Sequence, residues 1–385
     1  MRVGITTAGA DGGRSGIGQY LLQLLRHLDR GGGEDAFEVL VCRDEQEVFV
    51  PPGSSLIPVP IASRLRQPLL SVAWHQALLP GVCRRRGYDV LFLPAANRRV
   101  PLHVGCPTVG TVHDLSSLHV EGKYDAARVF YVRRVLPFLI RRLDQVITVS
   151  HSSKADIVEH ARVSDERVTV IPLAADPARY FPRPRHEASQ QVAHTLGLQR
   201  PYILYLARLE HPGKNHVRLI RAFARLKEDG SLPHQLVLAG GDWTRAEEIH
   251  RAAQESPCSR HIRFLGFVPE AAKPELYAAA EAFVYPSLYE GFGLPLLEAM
   301  ACGTPVACAD TSSLPEVAGG AALLFDPGDE EAMAHALRLL LTDTDIWCRY
   351  ARRGLERSGQ FAWERTAART LEVVRRAAAA RLAMA

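Results

Sequence analysis

Two glutamates enclose a glycine-containing turn in the second half of the chain. Glu290 and Glu298 flank the string Gly-Phe-Gly-Leu-Pro-Leu-Leu, which follows the apolar run Phe283–Tyr285. Pro295 suits the first turn of a helix, so Glu298 is expected about one turn inside that helix and Glu290 in the loop ahead of it. Carboxylates placed in this way can accept hydrogen bonds from the hydroxyl groups of a ribose or another sugar.

The same turn is suited to binding a phosphate group. Gly291 and Gly293 let the backbone come close to a ligand, and a helix that begins at Leu294 offers free N–H groups to an anion. The alternative is that both glutamates merely favour the positive end of the helix dipole. Because the complete spaced string occurs at one strand-to-helix junction, a ligand site is the better interpretation.

Arg208 and Lys214 form a second candidate site. Arg208 follows the apolar strand Tyr202–Leu206, and Lys214 opens the predicted helix Asn215–Glu228. A lysine at a helix N-terminus opposes the helix dipole, so a bound anion would explain its position. Together the two cations can clamp a diphosphate and stabilise the charge that builds up on a leaving group. A solvated surface turn is the alternative interpretation.

The first half of the chain holds two weaker candidates. His113 follows the predicted strand Thr108–Val112, although a lone histidine in this position is more often structural. Gly16 lies in a glycine-rich loop whose backbone can contact a phosphate or a sugar, and a plain flexible turn is nearly as good an interpretation. The loop is not the dinucleotide-binding fingerprint, because Leu21 stands where that pattern has glycine or alanine.

The sequence does not indicate a metal site. Asp343 and Asp345 have the spacing of a metal-binding acid pair, but they lie between two predicted C-terminal helices, where helix capping is the better interpretation. The seven cysteines are scattered without a Cys-x-x-Cys pair, so neither a zinc site nor a disulfide framework is expected, and a reducing cytosol fits best. We therefore expect a protein that needs neither a metal nor a bound cofactor.

The segment Ala127–Arg142 has two interpretations. It combines Phe130 and Phe138 with the arginines Arg128, Arg133, Arg134, Arg141 and Arg142. A basic amphipathic helix of this kind can lie on an anionic membrane surface. A half-buried helix with a charged outer face is the alternative, and the sequence favours neither.

These residues must be positioned by a regular alternation of elements. Short apolar runs alternate with amphipathic stretches along the chain, which predicts an α/β fold with parallel sheets and helices on both faces. Ligands bind beyond the C-terminal ends of such strands, where the candidate residues lie. The predicted strands are Val3–Thr7, Glu38–Val41, Val90–Leu93, Thr108–Val112, Gln145–Val149, Tyr202–Leu206, Gln235–Ala239, Ile262–Leu265, Ala282–Tyr285 and Pro305–Ala309.

Proline and polar residues divide this alternation into two halves. We predict an N-terminal domain over 1–180, a linker over 181–200, a C-terminal domain over 201–360 and a helix over 361–385 that is suited to packing on the N-terminal domain. Two such domains joined by a linker suggest one ligand cleft between them. In the N-terminal half, the stretch Leu69–Arg85 is predicted to form one long helix.

Composition limits the classes of function. With 385 residues, 47% apolar and 23% charged, the chain can form two ordinary cores. A net charge of +4 is too weak to argue for nucleic acid and is compatible with anionic substrates or an anionic membrane surface. The N-terminus lacks the apolar core of a signal peptide, and no apolar run approaches the length of a membrane span.

These motifs resemble those of family 4 of the glycosyltransferases, a retaining group with the GT-B fold of two Rossmann-like domains. The string from Glu290 to Glu298 is similar to the family's Glu-x7-Glu motif, and Gly266-Phe267-Val268 and the Arg208/Lys214 pair are also typical. The resemblance covers most of the chain and is more specific in the C-terminal half.

The resemblance implies a role for each candidate residue. Arg208 and Lys214 would hold the diphosphate of a nucleotide-sugar donor, and Glu298 would hold its ribose. The backbone around Phe267 and Val268 would contact the base.

Three further roles follow from the same resemblance. Glu290 would bind hydroxyl groups of the transferred sugar, His113 would lie beside that sugar, and Gly16 would lie near the phosphate. The segments His113–Leu115 and Ser312–Val317 are also similar to those of bacterial polysaccharide mannosyltransferases, which makes GDP-mannose the preferred donor.

The resemblance implies a reaction and its partners. The chain is expected to transfer a hexose with retention from a nucleotide sugar to a glycan, a glycolipid or a small molecule. It would work in the cytoplasm, without nucleic acid, with peripheral contact to the inner face of the membrane as a further expectation. The alternatives are a sugar-nucleotide 2-epimerase on the same architecture and a non-catalytic protein that binds nucleotide sugars.

Overall fold

The computed structural model describes residues 1–31, 33–120, 122, 129–199, 201–228, 230 and 232–382. Contacts divide the chain into two units. The first comprises residues 1–118, 126–173 and 362–385, and the second comprises residues 119–125 and 174–361. Ala127 and Arg128, where a helix is predicted to begin, and Arg200, the last residue of the predicted linker, lie outside the described residues.

A parallel sheet forms the centre of the first unit. Its described strands are seven, in the order β3-β2-β1-β4-β5-β6-β7. They are β1 (Arg2–Thr6), β2 (Ala36–Cys42), β3 (Ile57–Ile61), β4 (Val90–Leu93), β5 (Thr108–Thr111), β6 (Gln145–Thr148) and β7 (Val168–Val170). They alternate with α1 (Gly16–Gly31), α2 (Gln46–Phe49), α3 (Pro68–Ala77), α4 (Leu79–Arg86), α5 (Leu136–Arg141) and α6 (His151–Ala161).

The second unit repeats this architecture with a parallel sheet in the order β10-β9-β8-β11-β12-β13. Its strands are β8 (Tyr202–Leu206), β9 (Gln235–Ala239), β10 (Ile262–Gly266), β11 (Ala282–Tyr285), β12 (Val306–Ala309) and β13 (Ala322–Phe325). Its helices are α7 (Arg185–Leu196), α8 (His216–Leu226), α9 (Ala246–Glu255), α10 (Lys273–Ala279), α11 (Leu294–Ala301), α12 (Leu314–Ala318), α13 (Glu330–Thr342) and α14 (Thr344–Ser358). The predicted α/β class is therefore confirmed.

Every predicted strand is present, with small shifts at the ends, but three strands are additional. All three lie at sheet edges: β3, β7 and β13. Strand β3 reads Ile-Pro-Val-Pro-Ile, and its Pro58 and Pro60 argue against a strand except at an edge, where a missing N–H is tolerated. Strand β7 has only three residues, and β13 has four.

Prolines also explain two differences among the helices. The single helix predicted over Leu69–Arg85 is wrong, because the structure has two helices, α3 and α4, that meet at Leu78. Pro80 lies in the first turn of α4, where its missing N–H costs nothing because N–H groups in that turn have no partner within the helix. Inside one uninterrupted helix, the same proline would remove a hydrogen bond. Ahead of α5, which begins with Pro137 in its first turn, the chain forms a π-helical turn over Tyr131–Val135.

The stretch predicted as a linker contains helix α7, which belongs to the second unit. Ala188 and Val192 of this helix are buried. Arg183 pairs with Glu275 at 3.3 Å, and Arg185 pairs with Glu281 at 2.5 Å. These contacts fix the stretch to the body of the second unit.

A long helix, α15 (Trp363–Leu382), returns the chain to the first unit and packs on α1 and on strands β4 to β6. Trp363 is 2% exposed, and the Thr366 hydroxyl donates to the carbonyl oxygen of Pro172 at 2.7 Å. Arg375 pairs with Asp35 at 2.7 Å. Within the described residues no helix, α15 included, is both long and apolar enough to cross a membrane.

A close approach between two loops makes Gly240 irreplaceable. Gly240 has φ +150, and a Cβ at this position would lie 2.0 Å from the carbonyl oxygen of Ala207. We expect Gly240→Ala to lower the free energy of unfolding of the second unit by roughly 2–4 kcal/mol, because the loop after β8 must move. Gly241→Ala is the matched control, since a Cβ there meets nothing within 4 Å. Urea denaturation of both variants checks this, and equal midpoints would contradict it.

Candidate functional site

The candidate residues of the second unit follow neighbouring strands. Strand β8 pairs with both β9 and β11. Arg208 and Lys214 lie in the loop after β8, and Glu290 lies in the loop after β11. Since these strands are parallel, the two loops emerge at the same edge of the sheet. The topology therefore brings together residues that are 76 positions apart in sequence.

Lys214 and Glu290 are in direct contact. Lys214 Nζ donates to Glu290 Oε1 at 2.5 Å and to the Tyr285 hydroxyl at 3.2 Å, and both charged side chains are only 14% exposed. Burial lowers the pKa of Lys214, but the charge of Glu290 outweighs this effect, and the net pKa is raised. Lys214 is thus a permanent cation. An ammonium group has three N–H donors, so one remains for a ligand oxygen.

The main chain of Glu290 is held as firmly as its side chain. Ser312 Oγ accepts the Glu290 N–H at 2.9 Å. The buried Ser313 Oγ lies 3.0 and 2.9 Å from the carbonyl oxygens of Glu290 and Phe292, which share its one O–H donor. Carboxylate and backbone are therefore fixed by different groups, which orients Glu290 before any ligand binds.

Asn215 ties the loops around this pair together. It has φ +61, and its Nδ2 donates to the carbonyl oxygens of Pro286 and Pro327 at 3.0 and 2.8 Å. Helix α8 begins one residue later, at His216, so Lys214 lies just before the helix rather than in its first turn. The predicted helix start is shifted by one residue.

Glu298 occupies the first turns of α11 and has its own partner. The Tyr277 hydroxyl donates to Glu298 Oε2 at 2.8 Å. Burial raises the pKa of Glu298, against the opposing effects of Lys273 and of the Tyr277 hydrogen bond. Sequence reasoning missed Tyr277, because it lies on the apolar side of α10 and has the pattern of an ordinary core residue.

Arg208 lies nearer the surface than Lys214. Its side chain is 51% exposed, and Nη2 is 3.8 Å from the buried carboxylate of Glu210. The guanidinium carbon lies 4.9 Å from the ring centroid of Trp243, a contact typical of a cation–π interaction. Trp243 is 55% exposed and was not predicted as a site residue, because a lone tryptophan in a loop carries no readable pattern.

The remaining donor-site candidates line the same strand-end edge. Phe267 and Val268 follow β10, with Phe267 exposed and Val268 buried. Gly293 has φ +98, and a Cβ there would lie 2.7 Å from Leu314 Cδ2, so only glycine fits. Helix α11 then begins at Leu294, and its first N–H groups have no intrahelical acceptor.

His113 and Gly16 belong to the first unit. The ring of His113 is buried, its Nε2 lies 2.9 Å from the carbonyl oxygen of Pro94, and it packs edge-on against Tyr20 with ring centroids 4.8 Å apart. Burial lowers the pKa of His113 to about 4, so the imidazole is neutral at physiological pH. It is therefore equipped to donate or accept a hydrogen bond rather than to supply charge.

Gly16 begins helix α1, and a Cβ at this position would meet nothing within 4 Å. Gly18 differs, since a Cβ there would lie 2.3 Å from the carbonyl oxygen of Ala10. Ser15 Oγ accepts the Gly18 N–H at 3.2 Å and caps the helix. The loop is thus closely packed at Gly18 and open at Gly16.

The two acidic residues considered as a metal pair have a structural explanation. The Asp343 carboxylate accepts the N–H of Ile346 at 3.0 Å and caps α14, and Asp345 lies in the first turn of the same helix. The capping interpretation is confirmed for Asp343.

Comparisons with known proteins identify the family. The model described as Glycosyltransferase Family 4 matches residues 14–179, and that described as Glycosyl transferases group 1 matches residues 187–356. The O-antigen chain mannosyltransferase B of Escherichia coli is 32% identical over 381 residues, which cover 93% of this chain and 95% of that protein. The chain belongs to family 4 of the glycosyltransferases.

Other similarities agree with this glycosyltransferase assignment. The serotype-specific mannosyltransferase WbdA of Escherichia coli is 32% identical over 270 residues, which cover 69% of this chain and 33% of that longer protein. The sucrose-phosphate synthase of Thermosynechococcus elongatus superposes with a TM-score of 0.77 at 20% identity, over 99% of this chain and 100% of that chain. The fold of this glycosyltransferase is therefore GT-B.

Arg357 supports the helix that follows Ser313 in this glycosyltransferase. Helix α12 carries Ser313 just before its start, and Arg357 donates to the carbonyl oxygens of Glu316 and Val317 at its end, at 2.7 and 2.9 Å. The Arg357 guanidinium also stacks on the Phe361 ring at 4.8 Å. Both ends of α12 are thus fixed, one by the Glu290 loop and the other by Arg357.

The hydrogen bonds of Ser313 give a prediction about catalysis. We expect Ser313→Ala to lower kcat/KM by about tenfold or more, because the carbonyl groups of Glu290 and Phe292 lose the hydroxyl donor that they share and the backbone of Glu290 is held less firmly. Affinity for the nucleoside diphosphate alone should change much less. Ser358→Ala, which removes an exposed hydroxyl from α14, is the control. Steady-state kinetics and calorimetry check this, and an equal loss of nucleotide affinity would contradict it.

Proposed function

We propose that this glycosyltransferase moves a hexose from a nucleotide sugar to an acceptor with retention of the anomeric configuration, with GDP-mannose as the donor. The contact between Lys214 and Glu290, at 2.5 Å, carries the proposal. It places a cation suited to phosphate beside a carboxylate suited to sugar hydroxyls.

The proposed donor position uses further groups at the same strand-end edge. Arg208 and Lys214 neutralise the diphosphate, and the N–H groups at the start of α11 add fixed positive charge. Glu298 accepts hydrogen bonds from the ribose, and the backbone around Phe267 and Val268 contacts the base. Trp243 keeps the Arg208 guanidinium on the edge of the sheet through the contact at 4.9 Å.

The proposed reaction proceeds on one face of the sugar. The bond between the anomeric carbon and the phosphate oxygen breaks, and Arg208 and Lys214 stabilise the departing diphosphate. An oxygen of that diphosphate takes the proton of the acceptor hydroxyl, whose oxygen bonds to the anomeric carbon on the same side. Glu290 is paired with a lysine, which favours a hydrogen-bonding role over that of a nucleophile. His113 would contact the transferred sugar as a neutral imidazole.

Two relatives support mannose as the transferred sugar. The two Escherichia coli relatives named above are described as mannosyltransferases. A glycan or lipid-linked acceptor is proposed on the same basis, because the first of them acts on an O-antigen chain by its description. A lipid-linked acceptor would bring the enzyme to a membrane surface, so peripheral membrane attachment in the cytoplasm is part of the proposal.

Substitutions of the two glutamates should have different effects on GDP binding. We expect Glu298→Ala to weaken binding of GDP alone by roughly tenfold to a hundredfold, since it loses hydrogen bonds between a carboxylate and the ribose. Glu290→Ala should leave GDP binding within a few fold of the parent and reduce turnover. Glu331→Ala, on the outer side of α13, is the control. Isothermal titration calorimetry decides, and equal losses in both glutamate variants would refute this division of roles.

Transfer itself is tested with GDP-mannose and a mannose-terminated acceptor in the presence of EDTA, on enzyme stripped of metal. We expect turnover to persist, because the proposal assigns charge neutralisation to Arg208, Lys214 and the helix start. The one-bond coupling constant at C1 of the product should show the α configuration of the donor. An inverted product would refute retention, and activity that returns only with magnesium or manganese would refute the role of the two cations.

A further inference from the structure

The outer side of the segment before β6 combines aromatic and basic residues. Phe130 and Phe138 are 64% and 44% exposed. Arg133, Arg134 and Arg141 are exposed beside them, at the three- and four-residue spacing that places side chains on one side of a helix. The opposite side is buried in the core through Val132, Leu136, Leu139 and Ile140. The structure therefore shows a helix that is half buried and also basic and aromatic where it faces solvent.

Helix α3 turns apolar side chains outward. Leu69 and Val72 on its outer side are 85% and 42% exposed, whereas the polar Ser71 and His75 are buried. Burial lowers the pKa of His75 to about 4, and its Nδ1 lies 2.7 Å from the carbonyl oxygen of Ser71. No charged residue occurs between Gln67 and Cys83. A surface helix normally turns charged residues outward, so the apolar outer side of α3 indicates a partner.

The loop after β4 joins these two helices into one surface. Gln76 of α3 accepts the N–H of Leu102 at 2.7 Å, and Arg142 donates to the Leu102 carbonyl oxygen at 2.7 Å. The side chain of Leu102 is 48% exposed between them. We call the surface formed by Leu69, Val72, Leu102, Phe130, Phe138 and Arg141 the basic apolar face. All of it belongs to the first unit.

Charge distinguishes between the partners that such a surface could have. The described stretches 62–88, 97–113 and 129–143 contain no aspartate or glutamate. Arg133, Arg134 and Arg141 form no ion pair with any residue that the structure describes. A second copy of the chain docked by the same face would bring arginines against arginines, which is unfavourable. A partner with dense negative charge above an apolar layer fits both features.

We propose that the basic apolar face docks on a bilayer that contains anionic phospholipids. The arginines contact the headgroups, and Leu69, Val72, Leu102 and the two phenylalanines enter the boundary with the acyl chains. This proposal rests on the peripheral membrane location that forms part of the proposed function, and it names the residues that would contact the membrane. It requires neither the donor nor the transfer reaction, so binding can be measured without them.

The experiment uses the full chain and sedimentation with vesicles of phosphatidylcholine, with or without phosphatidylglycerol, and no nucleotide sugar. We expect binding only to vesicles that contain phosphatidylglycerol, and weaker binding as salt is raised. Arg134→Gln combined with Arg141→Gln should weaken binding about 25-fold, since each basic residue near an anionic surface contributes roughly fivefold. Leu69→Gln combined with Val72→Gln should also weaken it, through lost insertion.

The matched control combines Arg352→Gln and Leu324→Gln, two exposed residues of the second unit. This variant should bind vesicles like the parent. Equal binding to neutral and anionic vesicles, or unchanged binding by the arginine variant, would overturn the proposal. A dimer that the Leu69 and Val72 changes convert to monomer, without vesicles, would show instead that the face pairs two copies. Turnover with a water-soluble acceptor is measured separately. It tests the proposed reaction without a membrane, so a failure of docking can be distinguished from a failure of the reaction.

Discussion

The ion pair between Lys214 and Glu290 is the constraint on which the site of the second unit depends. The two side chains are each 14% exposed, and Lys214 Nζ lies 2.5 Å from Glu290 Oε1. Each charge depends on the other, because removing one leaves an uncompensated charge in a poorly solvated place. Their contact requires β8 and β11 to be neighbours in a parallel sheet, so that the loops after these strands lie together at the same edge of the sheet. Asn215 and Gly240 serve this requirement: one links the loops by hydrogen bonds, and the other lets the β9 loop approach the β8 loop closely.

The same constraint explains why the Glu-x7-Glu string has its spacing. The first glutamate must leave the sheet with its backbone held by Ser312 and Ser313, and the second must lie inside α11 beside Tyr277. Between them Gly293, with φ +98 and no room for a Cβ, turns the chain into the helix. Two carboxylates close in sequence thus acquire different environments. One is paired with a cation, and the other has its pKa raised by burial.

The sequence predicts the elements of this structure better than their supporting contacts. Apolar runs identify ten strands, and the residues after them identify the strand-end edge. Strand β3 escapes detection because Pro58 and Pro60 contradict the usual strand pattern, and the break at Leu78 escapes it because Pro80 lies in an apolar stretch with the pattern of one continuous helix. Tyr277, Trp243, Ser313 and Arg357 could not be predicted as a group, since their importance comes from contacts across the fold, up to 41 residues apart, and not from local spacing. The same holds for Leu102, which joins two distant helices.

The return of helix α15 to the first unit has a consequence for synthesis. The first unit is discontinuous, because residues 174–361 lie between its strands and the helix Trp363–Leu382 that packs on β4 to β6. During translation the ribosome must complete the whole second unit before that helix exists. Until then the surface that receives Trp363, Leu371 and Val374 is open to water and to chaperones. Apart from residues 119–125, the second unit is one continuous stretch, 174–361, so it meets no such delay and can acquire its core first.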